Sequence, residues 1–299
     1  MQHAGGALRC CDACRAVGRC AGAPGQQARH AAFGREPLPF EVEPHGFRTM
    51  IDASIRLLPM GDAACTLELG QGIAPETNAR CHDLARRFRD WLDSSQTPGV
   101  LDVVPTFRSV TVHVDPLRAD AQAMGEQLMQ LAQATHTQHL PTREWRLPVC
   151  FGGEQGLDLE AVARQTQHSP SELIAAVCAT PLRVYAMGFM PGFPYLASLP
   201  EALQLPRRST PRTAVAPQTL AIAQAMACVY PWASPGGWHL LGHMPITLFD
   251  LRSPQQPALL AAGDALQFYA VDAQECAAMV AAQAQDPQFR QRFLSRGGA

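Results

Sequence analysis

Gly188-Phe189-Met190-Pro191-Gly192-Phe193-Pro194-Tyr195-Leu196 is followed by Pro206-Arg207-Arg208, by Pro211-Arg212, and by Ser234-Pro235-Gly236-Gly237-Trp238-His239-Leu240-Leu241-Gly242-His243. Glycine and proline at this density set turns and bring backbone N–H groups near a partner; they do not build a core. Between the turns lie short apolar runs: Thr219 to Ala223, His239 to Leu241, Thr247 to Leu251 and Ala265 to Tyr269. Short strands punctuated by Gly and Pro, with no helical periodicity after Val184, predict a β-barrel.

Upstream the patterning changes. Ile55 to Leu58 and Cys65 to Leu69 read as strands around a Gly61-Asp62 turn, and Pro75 to Leu92 as a helix with Leu84, Phe88 and Leu92 on one face. Gly99 to Val104 and Ser109 to Val114 read as two further strands, and Pro116 to Gln133 as a second helix carrying Met124, Leu128 and Leu131. The order ββαββα predicts a small α/β domain with helices on one sheet face. A strand at Trp145 to Cys150 follows, then helices over Asp158 to Thr166 and Ser169 to Cys178, the second opened by the capping box Ser169-Pro170-Ser171-Glu172. The expected organisation is α+β: residues 1–50 a disordered tail or a mis-assigned start, 51–142 the α/β domain, 143–272 the barrel, and 273–299 a helical tail.

Length and composition bound the function. The chain of 299 residues can hold two cores, with 47% apolar and 17% charged residues. A net charge of −2 argues against nucleic acid as a partner. No apolar run is long enough to span a bilayer and no signal-peptide core is visible, so a cytoplasmic location is expected. Of ten cysteines, six lie in apolar segments and read as reduced, buried thiols. Cys10, Cys11, Cys14 and Cys20 crowd the N-terminus, where Cys11 and Cys14 form a CxxC pair near His3 and His30. A zinc ribbon needs a second close pair, which is missing, so no metal site is expected.

Four groups are candidates for chemistry. The turn Gly188 to Gly192, with Pro191, can form an anion-binding concavity or merely a barrel corner. Arg207 and Arg212 sit on a proline-stiffened loop suited to gripping a carboxylate or phosphate. His239 and His243, an even offset apart on one strand, are expected to share a sheet face and to serve as a base, or simply to pack. Trp238 can stack on a ligand or fill the barrel mouth. Phosphate-loop, dinucleotide, zinc-protease, serine-hydrolase and biotinylation motifs are absent.

Together these motifs resemble the KipI / 5-oxoprolinase (PxpB) family, also described as the carboxyltransferase domain, subdomain C and D. The resemblance runs from about Ile55 to Asp272 and includes Pro148-Val149-Cys150-Phe151-Gly152-Gly153 and Gly156-Leu157-Asp158. It implies a cyclophilin-like barrel after the α/β domain, and one component of an ATP-dependent 5-oxoprolinase that opens the 5-oxoproline lactam to L-glutamate. It also implies a homologous PxpC-like partner, a PxpA-like third component, and ATP with Mg2+ shared with the partner. On that reading Arg207 and Arg212 bind phosphate or carboxylate, amides of Gly188–Gly192 and of Gly236 and Gly237 support an oxyanion, and His239 or His243 moves a proton. Two rival readings accompany it: an inhibitor of a sensor histidine kinase, and half of a biotin-dependent urea or amide carboxyltransferase. The chain departs from the family pattern at identifiable places. Ala216-Pro217-Gln218-Thr219 stands for Pro-Ala-Gly-Ser, Gln224-Ala225-Met226-Ala227-Cys228 for Gly-x-Gln-Thr-Gly, Gly242-His243-Met244-Pro245 for Gly-Arg-Thr-Pro, and Val177 for a histidine.

Overall fold

Residues 55–134 and 143–296 are described by a computed structural model and belong to one unit of the chain, Thr49–Ala299. The readings of residues 1–50 as tail or mis-assigned start, and of the Cys11/Cys14 pair, lie outside the described residues. The six cysteines expected as thiols are free; Cys65, Cys81, Cys228 and Cys276 are buried, Cys150 and Cys178 half-buried.

The first layer follows the ββαββα expectation. Strands β1 (Arg56–Pro59) and β2 (Ala64–Glu68) precede helix α1 (Pro75–Ser95), and β3 (Val100–Pro105) and β4 (Ser109–Val114) precede α2 (Ala121–Gln133). The sheet is antiparallel in the order β1-β2-β4-β3. Leu84 and Phe88 of α1 and Leu128 of α2 pack on Leu67, Val110 and Val112. Each such side chain contributes about 1.5–3 kcal/mol by leaving water. Pro75 opens α1 at a position where its missing N–H costs nothing, and Gln96 ends it in the left-handed region, donating to the Leu92 carbonyl. Helix α2 starts later than the sequence suggests. Arg118 and Ala119 N–H bond back to the Asp115 carbonyl in a separate turn, and Asp120 then caps the helix through Gln122 N–H.

The second layer begins with β5 (Glu144–Phe151), α3 (Leu159–Gln165) and α4 (Pro170–Ala179), the last opened by the predicted capping box at Ser169 and Glu172. Strands β6 (Leu182–Met187), β7 (Pro194–Ala197), β8 (Arg212–Val215), β9 (Thr219–Ala223), β10 (Met226–Tyr230), β11 (Ser234–Gly236), β12 (His239–His243) and β13 (Ala265–Ala270) follow. The pairing β12-β9-β10-β7-β6-β13-β5, closed by β12 on β5, makes a seven-stranded barrel. Strand β13 runs parallel to β5, and β8 pairs with β11 in a separate ribbon at the mouth. One sheet face carries Leu147, Val149, Leu220, Ile222 and Leu241 against Leu173 and Val177 of α4. The other carries Ala221, Cys228, Tyr230, Trp238 and Leu240.

Two expectations are corrected here. Thr247 to Leu251 is not a strand: Asp250 accepts from Arg252 N–H in a local turn, and only an isolated bridge joins Phe249 to Ala258. The segment after Asp272 is helical as far as Phe293, as helix α5 (Ala273–Gln285) and a 3-10 helix (Pro287–Phe293), but it ends in strand β14 (Leu294–Arg296), which pairs with β5. No described helix is long and apolar enough to cross a membrane.

The two layers meet at the β3–β4 turn. Buried Asn78 of α1 donates to the Thr106 carbonyl at 2.9 Å and to the Tyr185 carbonyl of β6 at 3.0 Å. Phe107 then meets Tyr185 in a tilted contact at 6.0 Å and Tyr195 edge-on at 5.7 Å.

Candidate functional site

The glycine–proline stretch folds around a cleft of about 470 Å³. Its walls are Phe189, Phe193, Tyr195, Tyr230 and Trp238, with Arg207 and Arg208 at one side and Gly236 and Gly237 at the rim. The hairpin turn between β6 and β7 supplies the first two rings. Gly188 N–H closes that turn on the Phe193 carbonyl at 3.2 Å, and Phe193 N–H bonds the Met190 carbonyl at 3.1 Å. Gly192 has φ 78°, and a Cβ there would lie 2.7 Å from Phe249 Cβ, so neither its conformation nor its surroundings admit a side chain. Trp232 Nε1–H pins the turn through the Pro191 carbonyl at 3.2 Å. Phe189 itself has φ 72° and is 65% exposed. A left-handed non-glycine residue at a binding rim stores strain, held here by the edge-on contact with Phe193 at 5.3 Å.

Rings continue inward from there. Phe193 meets Tyr195 at 5.0 Å and Tyr230 at 5.4 Å, and Tyr195 reaches Trp238 at 6.4 Å. Tyr195 therefore touches both Phe107 of the first layer and the cleft. Gly236 lies so close to the Tyr230 hydroxyl that an added Cβ would collide with it. Burial pushes the Tyr195 and Tyr230 hydroxyls up, reinforced by the neighbouring Cys228 and opposed by Arg207. Burial dominates at Cys228, which is also raised. All three stay neutral near pH 7, so among the described residues the formal charges lining the cleft are cationic. Arg207 lies over the Trp238 ring, 5.8 Å from its centroid, in a cation–π contact.

The loop carrying Arg207 is tied down on both sides. Arg208 N–H donates to the Gly237 carbonyl at 2.8 Å. His239 Nε2 bonds the Pro206 carbonyl at 2.9 Å, and because a carbonyl can only accept, Nε2 carries the proton. Arg212 donates twice to Asp158, at 2.8 and 2.9 Å, and Arg208 donates to the same carboxylate at 3.1 Å. Asp158 also accepts from Leu240 N–H at 2.8 Å. Burial raises the Asp158 carboxyl, but the Arg212 hydrogen bonds, the Leu240 N–H and the charges of Arg212 and Arg208 outweigh it and hold the group below its ordinary value. Two guanidiniums against one carboxylate leave the group cationic.

Of the residues singled out from sequence, Arg207, Gly236, Gly237 and Trp238 line the cleft. Gly188, Pro191 and Gly192 shape the turn that delivers Phe189 and Phe193. The Gly188 amide is spent inside that turn; the N–H groups of Phe189, Met190 and Gly192 have no backbone acceptor among the described residues. Arg212 stands behind the cleft, paired with Asp158. The two histidines do not share a face. A bulge between Leu240 and Gly242 places His239 opposite Ile222 but His243 opposite Thr219, three residues apart on β9, and so on opposite sides of the sheet. His239 is buried and bonded to Pro206, while burial lowers the His243 imidazole, whose Nδ1 finds no partner. Asp158 was legible only as part of Gly156-Leu157-Asp158; a single carboxylate upstream of an arginine-rich loop was the available signal.

The described residues thus form a four-stranded α/β layer joined to a closed seven-stranded barrel whose cleft is lined by aromatic rings and arginines. The model of the carboxyltransferase domain, subdomain C and D, matches residues 55–260, and the chain belongs to that family. The 5-oxoprolinase B subunit of Bacillus subtilis is 33% identical over 225 residues, covering 70% of this chain and 90% of that protein. Its counterpart in Haemophilus influenzae, likewise a 5-oxoprolinase B subunit, is 34% identical over 214 residues, covering 72% and 97%. Among solved structures, TTHA0988 is 33% identical with a TM-score of 0.59; the match covers 70% of this chain and spans 40% of that longer one. The Kluyveromyces lactis urea amidolyase superposes with a TM-score of 0.62 at 17% identity, over 82% of this chain and 18% of its own, a likeness of fold alone.

Proposed function

We propose that this chain is the B subunit of an ATP-dependent 5-oxoprolinase, which opens the 5-oxoproline lactam to L-glutamate with partner proteins. The observation that carries the reading is a match of about one third identity over nine tenths or more of two proteins named as 5-oxoprolinase B subunits. The cleft is compatible with it. 5-Oxoproline is a small flat ring bearing a carboxylate, and the cleft offers flat aromatic walls and arginine guanidiniums. Arg207 would hold the carboxylate or a phosphate, Trp238 and Phe189 would flank the ring, and amides of the Phe189–Gly192 turn would face a developing oxyanion.

ATP, when bound, would supply the phosphoryl group that turns a poor amide electrophile into a reactive one. Arg207 and Arg208 suit its phosphates. No group of three or more metal-ligating side chains occurs among the described residues, so Mg2+ would rest on the phosphates, water and residues of a PxpC-like partner. The cleft opens to solvent at Phe189, which leaves a face for that partner and for a PxpA-like third component to complete the site. Reconstitution of the chain with those proteins tests the proposal: 5-oxoproline-dependent ATP hydrolysis and glutamate release are expected. Absence of both in a system where every component is folded and associated would overturn it.

A further inference from the structure

We infer that Asp158 is the positioning residue of the cleft, holding the Pro206–Arg212 loop so that Arg207 stays over Trp238. It is 5% exposed and caps no hydrogen bond of its own helix through its side chain. Its carboxylate is instead turned across to the loop and to β12. One oxygen accepts from Arg208 and Arg212, and the other from Arg212 and Leu240 N–H. The backbone repeats the link, because Asp158 N–H donates to the Leu240 carbonyl at 3.0 Å. Asp158 is thus fixed to the strand that begins one residue after Trp238, and it grips the loop at the residue that follows Arg207 and again at Arg212. The Pro206 carbonyl is held by His239, so Arg207 is the free side chain between two anchored neighbours. A side chain as long as arginine stays in one place over a ring only if its backbone is fixed, since its rotamer entropy works against the contact.

Asp158 does not line the cleft; it acts through Arg207. Substituting Asp158→Asn keeps the shape and the bond from Leu240 N–H but removes the charge that pairs both arginines. Two measurements decide the matter. The first is the proton resonance of the Arg207 guanidinium, assigned by its loss in Arg207→Lys and displaced upfield by the Trp238 ring current. In Asp158→Asn that displacement is expected to fall by about half or more while amide resonances of the first layer stay unchanged. An unmoved Arg207 resonance in the folded variant overturns the inference. The second, which rests on the proposed function, is turnover in the reconstituted complex. Asp158→Asn is expected to raise KM roughly tenfold with little change in kcat, and to add nothing in an Arg207→Ala background. Additive penalties would show that Asp158 acts by some route other than Arg207. If the wild-type complex shows no turnover, the functional reading fails while the resonance measurement still judges Asp158. If Asp158→Asn does not fold, Asp158→Glu, which keeps the charge on a longer arm, takes the same two readouts.

Discussion

Arg212 and Asp158 face each other through two parallel hydrogen bonds, Nη1 to one carboxylate oxygen at 2.9 Å and Nη2 to the other at 2.8 Å. The native carboxyl is held below its ordinary value, so the pair stabilises the fold fully above about pH 4 and is lost as pH falls through the native value. Thermal melts between about pH 3 and about pH 7 should show an acid limb that Asp158→Asn flattens. Asp158→Ala, which leaves two partly exposed guanidiniums and the Leu240 N–H without their acceptor, should cost about 1–3 kcal/mol in denaturant unfolding at neutral pH.

His82 provides a second pH-dependent contribution at a higher pH. It sits on α1 close to Gly263, its Nε2 unpartnered, and burial, opposed by the Tyr185 backbone and aided by Arg183 and Arg89, pushes the imidazole down to about 4. A lowered histidine favours the native state while neutral. Its contribution is complete above about pH 6.5 and drains away as the pH falls towards 4, by about 3 kcal/mol. His82→Gln should remove that slope in urea midpoints measured between the two values.

Arg207→Ala should raise KM for 5-oxoproline in the reconstituted complex about tenfold or more, the loss of a charge-assisted contact. Arg207→Lys should recover only part of it, because the guanidinium contact with the Trp238 ring is lost with the arginine. Steady-state kinetics of the two variants side by side make the comparison; equal KM for lysine and alanine would remove the charge from the account.

Gln224 occupies the first place of the two-residue turn between β9 and β10 with φ 54°, and Gln218 has φ 60°. Both stand where the pattern that the sequence resembles would have glycine. A side chain costs roughly 1–2 kcal/mol in this region, part of which glycine returns as unfolded-chain entropy. Gln224→Gly should therefore stabilise the barrel by about 0.5–1 kcal/mol, read from a rise in the urea midpoint at constant slope.

Gly192→Ala runs the opposite way. Both its φ of 78° and the 2.7 Å approach to Phe249 Cβ oppose a methyl group. The turn should shift, taking Phe189 and Phe193 with it, at a cost of about 1–3 kcal/mol. Loss of affinity in Gly192→Ala with intact far-UV dichroism would locate the damage in the cleft.

The ββαββα order, the capping box at Ser169 and the strand at Thr219–Ala223 were legible because periodicity and caps are local properties. Helix α2 was overextended because Asp115 and Asp120 compete for the same start, and which of them caps it depends on where β4 ends. Strand β14 was not legible, since three residues become a strand only when β5 offers an edge. At the site, glycine, proline and tryptophan announced the cleft. The roles of the polar residues did not follow from their types. The bulge in β12 turned His239 and His243 to opposite sides, and Asp158 took Arg212 out of the cleft.

The sequence by itself determined the glycine–proline turns, which faces are apolar, and that a glycine–proline–arginine stretch would gather around one place. Those outcomes rest on backbone conformational limits and on burial, which each residue carries with it. Only the tertiary structure decided which arginine faces a ligand and which is paired. That choice depends on Asp158, 49 residues upstream of Arg207 in the chain and brought beside the loop by the closure of the barrel. Electrostatic partners are chosen by distance in space, and spacing along the chain does not encode it.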